Sequence, residues 1–157
     1  MMFEIIQASD PSHYETAAIL FREYANSLDF DLCFQNFDHE MTILHEMYGP
    51  PTGALFLVVS EGKYCGIAGL RRIENDYTCE VKRMYIQPVL QGKGAGKALL
   101  AKLIETGKEM GYSKIKLDTL GPKMPAAVHL YRSFDFQECL PYNFNPHEGI
   151  LYFERDL

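Results

Sequence analysis

Apolar residues follow two periods along this chain, and the switches between them divide it into elements. Residues 2–8 open with a strand-like run, after which Ser9-Asp10-Pro11 supplies an N-cap and a proline suited to a first helical turn. Ala17, Ala18, Leu20, Phe21, Tyr24, Ala25 and Leu28 recur near the helical period, which predicts a helix over 11–28 with one apolar face. A weaker helical stretch over 35–47 runs into Gly49-Pro50-Pro51, residues that stop a helix. Beyond this breaker the period shortens. Two strands, 54–59 and 64–72, flank Ser60-Glu61-Gly62-Lys63 and predict a hairpin with a tight turn. A third strand over 77–87 follows Glu74-Asn75-Asp76 and ends at Pro88, so the three form an antiparallel meander.

Helical spacing returns in Leu99, Leu100, Leu103 and Met110, predicting a helix over 96–110 with Gly111 placed as its C-terminal cap. A short strand over 114–119 follows, then a helix over 125–134 that turns Ala126, Ala127, Leu130 and Tyr131 toward the core. Strands at 136–140 and 150–154 close the chain. The order is β, α, α, β, β, β, α, β, α, β, β, with no repeat or linker. It predicts one α/β (α+β) domain over residues 1–157, a central mixed sheet carrying helices. At 157 residues and 47% hydrophobic composition, such a domain buries a core without disulfides or metal.

Charge narrows the choice of partners. Lys and Arg total 15 against 21 Asp and Glu, and a net charge of -6 argues against nucleic acid or an anionic membrane surface. The longest strongly apolar run, 54–59, is far short of the roughly 20 residues that cross a bilayer. Met1-Met2-Phe3-Glu4 lacks the features of a secretory signal, so the expected location is cytoplasmic. Cys33, Cys65, Cys79 and Cys139 form no CxxC pair and read as reduced, mostly buried thiols. The histidines at 13, 39, 45, 129 and 147 form no HExxH, and metal is not expected. His129, two residues from Tyr131, points to another side of its helix.

The segment 81–100, VKRMYIQPVLQGKGAGKALL, carries the chemistry. It reads as strand, glycine-rich loop and helix. Unpaired N–H groups and the positive end of the helix dipole make such a start a site for phosphate oxygens. Gly92, Gly94 and Gly96 let a ligand approach the backbone, and Lys93 and Lys97 add positive charge. A Walker A loop is excluded twice, because Gln91 stands where its first glycine belongs and Ala98 follows Gly96-Lys97 in place of Ser or Thr. A GxGxxG fingerprint is excluded by Lys97 and Leu99. The pattern that is met is Gln/Arg-x-x-Gly-x-Gly/Ala, by Gln91, Gly94 and Gly96. On these residues the chain resembles the GNAT superfamily of acyl-CoA-dependent N-acetyltransferases. The likeness continues at Ala127-x-x-Leu130-Tyr131, similar to that family's later Leu-Tyr helix, and spans roughly residues 54–139 in motif order.

The resemblance implies a single N-acetyltransferase domain. Its mixed, mostly antiparallel sheet would be splayed between strands 4 and 5 and flanked by about four helices. It implies acetyl-CoA as co-substrate, with Gln91, Gly92, Lys93, Gly94, Ala95, Gly96 and Lys97 around the pyrophosphate and the backbone of Met84, Tyr85 and Ile86 along the pantetheine arm. The implied reaction moves an acetyl group to a primary amine by direct attack in a ternary complex. Tyr131 matches the general acid at the sulfur. Glu80 stands where some members carry a general base; a strand glutamate paired with Lys82 or Arg83 is an equal reading. Two positions depart from the family pattern: Met124 replaces a frequent Asn, and Asp135-Phe136 a frequent Gly-Phe.

The acceptor side implied by the family includes Tyr24, Leu28-Asp29-Phe30-Asp31 and Pro141-Tyr142-Asn143-Phe144-Asn145-Pro146. Acids among aromatics suit a cationic amine, borne by a small molecule or by a protein. The same late segment suits a homodimer contact equally. A non-catalytic acyl-CoA-binding sensor or interaction module is the rival reading, kept open by Met124 and opposed by Tyr131.

Overall fold

The computed structural model describes residues 2–28, 36–121 and 124–157. Seven strands form one sheet in the order β1-β2-β3-β4-β5-β7-β6. They are β1 (Glu4–Gln7), β2 (Ala54–Ser60), β3 (Lys63–Ile73), β4 (Thr78–Ile86), β5 (Lys114–Leu120), β6 (Gln137–Glu138) and β7 (Ile150–Asp156). All neighbours run antiparallel except β4 and β5. The helices are α1 (Pro11–Ser27), α2 (Phe37–Glu40), α3 (Leu44–Met47), α4 (Ala95–Glu109) and α5 (Pro125–Ser133).

The apolar run in β2 has a simple cause: the strand is covered on both faces. Ala54, Phe56 and Val58 pack with Leu99, Leu100 and Leu103 of α4. Leu55 and Leu57 pack with Leu20 and Phe21 of α1 and with Leu44 and Tyr48. Sheet and helices thus make two cores, and the sheet is their shared wall.

Local signals set the helix ends. The Asp10 carboxylate accepts the His13 N–H at 3.1 Å and Pro11 opens α1. At the end of α4, Gly111 (φ 90°) and Tyr112 donate to the Lys108 and Gly107 carbonyls, a Schellman closure. The same closure ends α5: Asp135 and Phe136 donate to the carbonyls of Arg132 and Tyr131. Asp135, at φ 68°, occupies the left-handed position where the family pattern has glycine.

Two expectations are corrected. The helix expected over 35–47 is two short helices, α2 and α3. The Thr42 hydroxyl donates to the His39 carbonyl at 2.6 Å, which favours a turn between them over a continuous ladder. The strand expected over 136–140 shrinks to Gln137–Glu138, paired with Glu154 and Phe153 of β7 at the sheet edge. Phe136 is buried, but as part of the α5 closure rather than as a strand residue.

Candidate active site

The sheet opens where its single parallel pair fails. The β4–β5 ladder holds Thr78↔Lys114, Cys79↔Ile115 and Glu80↔Lys116, and no further pair is made although β4 runs on to Ile86 and β5 to Leu120. A bulge in β4 bends the strand at this point. Ile67 faces Tyr85 and Gly69 faces Lys82, so two β4 residues, Arg83 and Met84, stand opposite Ala68. Arg83 takes φ 57°, a conformation costing roughly 1–2 kcal/mol for a residue with a Cβ.

A buried network holds that bulge. Arg83 grips Glu40 of α2 bidentately, Nε to Oε2 at 2.7 Å and Nη2 to Oε1 at 3.1 Å. Tyr48 donates to the same carboxylate at 3.0 Å, and the guanidinium lies 4.9 Å from the Phe37 ring centre. Gly69 makes room for this: a Cβ there would meet the Tyr48 ring at 2.6 Å. Helix α2 is therefore tied to the bent part of β4.

The divergence leaves a cavity of about 110 Å³ between β4 and β5, lined by Lys82, Arg83, Met84, Asp118, Tyr24 and Tyr131 among others. Tyr131 is 6% exposed, rests against Phe136 and Phe153, and its hydroxyl has no hydrogen-bond partner among the described residues. Burial, with Tyr24 and Asp118 acting in the same direction, raises its pKa and keeps the phenol protonated. An orphaned buried hydroxyl costs roughly 1–3 kcal/mol, so its presence on a cavity wall points to a ligand that satisfies it.

At the far end of β4 lies the glycine-rich loop. Gln91 folds back and donates to the Ile86 carbonyl at 2.9 Å, after a 3-10 turn at Pro88–Leu90. Gly94 begins α4 in the left-handed region (φ 87°), and no side chain among the described residues caps the helix. The N–H groups of its first turn thus remain available. Lys93 and Lys97 are exposed beside them. A Cβ on Gly94 would meet nothing within 4 Å, so the glycine serves conformation and not space. Gly94→Ala should cost about 1 kcal/mol of stability, read from urea denaturation, and an unchanged midpoint would refute a backbone role.

The expected pantetheine wall divides its duties. Met84 lines the cavity, whereas the Tyr85 side chain turns toward α1 and donates to Glu23 at 2.7 Å. Burial, then Glu23, push the Tyr85 phenol up to about 12. Gln87 donates to Glu23 as well, at 3.0 Å, so α1 is anchored to the end of β4.

Glu80 is buried beside the opening but is not among the residues lining the cavity. Its partner is neither Lys82 nor Arg83. Arg71 Nε donates to one oxygen at 2.9 Å and the Tyr142 hydroxyl to the other at 2.7 Å. The carboxylate that lines the cavity is Asp118 of β5, which accepts a hydrogen bond from Asn143 at 2.8 Å. Asp118 was not singled out by the sequence, since its signal, an acid in mid-strand, gains meaning only from the splay. Lys82 lines the same cavity and gave no sequence signal either.

Among the other expected site residues, Tyr24 and Asn145 line the cavity, and Asn143 and Phe144 line a neighbouring one. Asp29, Phe30, Asp31, Gln35 and Cys33 lie outside the described residues. Met124, in place of the family's Asn, presents its sulfur to the Thr119 hydroxyl at 3.8 Å. Cys65 and Cys79 are buried free thiols, and burial pushes Cys79 up to about 12, as befits packing residues.

The family model of the acetyltransferase (GNAT) family matches residues 15–136. This chain belongs to that family. It is similar along 94% of its length to an uncharacterized N-acetyltransferase of Schizosaccharomyces pombe, at 33% identity over 148 residues and 90% of that protein. N-acetylaspartate synthetase of Danio rerio is 37% identical over 99 residues, which take 62% of this chain and 35% of that longer protein. A GNAT acetyltransferase structure from Staphylococcus aureus superposes with TM-score 0.77 at 24% identity, covering 99% of each chain. The structure of yncA from Salmonella typhimurium, which holds its cofactor acetyl-CoA, superposes with TM-score 0.69 at 16% identity over 98% of this chain and 93% of that one. These last two likenesses concern the fold. By family, the protein is an acyl-CoA-dependent N-acetyltransferase, an acyltransferase enzyme. The splayed sheet is the arrangement the resemblance implied. No helix among the described residues is long and apolar enough to cross a membrane.

Proposed function

We propose that acetyl-CoA enters the splay with its thioester beside Tyr131 and that a primary amine attacks it directly, both substrates being bound together. The observation that carries this reading is the orphaned Tyr131 hydroxyl, protonated and aimed into the opening of the sheet. When bound, acetyl-CoA supplies an acyl group activated as a thioester. The residues fit it at three places. The β4 edge beyond Glu80 has backbone groups without a β5 partner, to which an extended arm can add as a strand would. The first turn of α4, with Gln91, Gly92, Lys93, Gly94, Ala95, Gly96 and Lys97 around it, offers N–H groups and positive charge to the pyrophosphate. Tyr131 completes the site at the sulfur.

In the reaction the amine nitrogen forms a bond to the acyl carbon as the C–S bond breaks. The bound ammonium gives up two protons: the first must leave before attack, and the second leaves the nitrogen as the amide forms and restores the one that the Tyr131 hydroxyl gives to the departing sulfur. Asp118, the carboxylate on the cavity wall, is assigned to take the first of these. Glu80, held between Arg71 and Tyr142, positions the Tyr142 hydroxyl and the acceptor wall rather than meeting the amine itself. A base is needed because an alkylammonium has no lone pair with which to attack.

Asp118→Asn should lower kcat/KM roughly 100-fold near neutral pH. The deficit should shrink as pH rises, because solvent then delivers the amine already neutral. Wild-type kcat should show no descending limb up to about pH 9.5, since the raised Tyr131 pKa keeps the acid protonated. Thiol release measured from pH 6.5 to 9.5, on the order of one half-unit per step, checks both. Parallel profiles for the two proteins would remove Asp118 from the proton path.

A further inference from the structure

Lys82 is a buried charge that nothing among the described residues accounts for. It is 7% exposed, and among the described residues its ammonium makes no hydrogen bond or ion pair. A lone buried ammonium is costly unless a partner compensates it. The neighbouring acids are already engaged. Glu80 is held by Arg71 and Tyr142, and Glu40 by Arg83 and Tyr48. Each Arg–Glu pair is internally balanced, so among the described residues Lys82 stands over without an ion-pair partner.

Its place gives the absence a meaning. Lys82 lines the cavity in the splay and also a second one of about 410 Å³, bounded by Asn36, His39, Met47, Arg71, Asn143 and Phe144 among others. It therefore sits at the junction between the thioester position and a space under α2, α3 and the 141–146 segment. Across the splay, extending the Glu80↔Lys116 register by two residues sets Lys82 opposite Asp118. No ion pair joins these two charges; the hydrogen-bond partner of Asp118 is Asn143.

A positive and a negative side chain that face each other across a cavity without pairing form a complement to a molecule carrying both charges. On this basis, and resting on the acetyltransferase reading above, we infer that the acceptor is a free amino acid. Its ammonium meets Asp118, and its carboxylate meets Lys82. Binding compensates the buried ammonium and places the nitrogen that loses its proton to Asp118 at the splay. The amino-acid side chain then extends into the larger cavity. A protein N-terminus presents an amide where this carboxylate would be, and leaves Lys82 unpaired.

The test compares acceptors on one preparation. Protein is supplied with acetyl-CoA and a panel of protein amino acids, their α-carboxamides and their decarboxylated amines, and thiol release is followed. Calorimetric titration of the same compounds into the coenzyme A complex runs in parallel. The best amino acid should exceed its own carboxamide and amine roughly 100-fold in kcat/KM. In Lys82→Met that ratio should fall to within about threefold of unity, whereas Lys82→Arg should keep most of it. A ratio of two acceptors does not depend on how much of the variant is folded. Turnover of carboxamides and amines as efficient as that of the acids, or a ratio unchanged in Lys82→Met, overturns the inference and leaves the transferase reading intact. Carboxylate-selective binding lost in Lys82→Met, with no thiol release, would show that Lys82 holds an amino acid there and overturn its role as the acetyl acceptor, and with it the transfer proposed at this site.

Discussion

Tyr131→Phe should lower kcat by roughly 100-fold to 10,000-fold while leaving the acetyl-CoA dissociation constant within about a factor of two. The substitution removes one oxygen from a ring held by Phe136 and Phe153, and no hydrogen bond among the described residues is lost with it. Because that hydroxyl is buried without a partner, its loss should leave the melting temperature unchanged or slightly raised. The combination of intact stability, intact cofactor affinity and lost turnover is what a general acid predicts. Steady-state kinetics, calorimetry and a melting curve on one preparation check all three. A kcat equal to that of the wild type would transfer the proton to another donor.

The second large effect is on stability. Glu40→Gln should destabilise the protein by roughly 3–5 kcal/mol, because it leaves the Arg83 guanidinium buried with no opposite charge. For a domain of this size that corresponds to a melting point lower by roughly 6–20 °C. The side chains of both partners are nearly inaccessible, so solvent does little to screen the loss; the exposed Arg22–Asp38 pair should by contrast be worth very little. Since Arg83 is the left-handed residue of the β4 bulge, the same change should relax the bend that opens the sheet. The double variant Glu40→Gln with Arg83→Gln should recover more than half of the loss, since the orphaned charge is then gone. Melting temperatures of the two single variants and the double variant decide this. Additive losses would mean that the pair is not the determinant.

Much of the fold follows from local pattern. The apolar run of β2, the Glu61-Gly62 turn and the Asp10-Pro11 cap each produce their element through interactions a few residues long. The α2–α3 break was less legible, because the reason for it lies elsewhere. Phe37 and Glu40 must turn inward to meet Arg83, a contact across 43 positions in sequence. Likewise the short β6 reflects competition: the residues around Phe136 serve the closure of α5 before they can serve the sheet.

The glycine-rich loop and its helix were legible for a related reason. A phosphate site made of backbone N–H groups needs glycines at fixed spacing and a helix start, and both are local. Tyr131 was legible through its motif, although its missing hydrogen-bond partner was not. Glu80 shows the opposite case. Its position along β4 matched a base, but Arg71 and Tyr142, which occupy its two oxygens, come from β3 and from a segment 62 positions away.

By itself, the sequence determined the order of the strands and of the three longer helices, the glycine-rich turn and the Leu130-Tyr131 helix, because each depends on periodicity or on a run of adjacent residues. Only the tertiary structure decided which carboxylate lines the cavity and which buried cation is left without a partner among the described residues. Those outcomes depend on where the β4 bulge ends the parallel ladder and on pairings between distant strands. In β4, Glu80 and Lys82 differ in sequence by two positions; Arg71 and Tyr142 satisfy the first, while the second lies past the last parallel pair and faces the cavity.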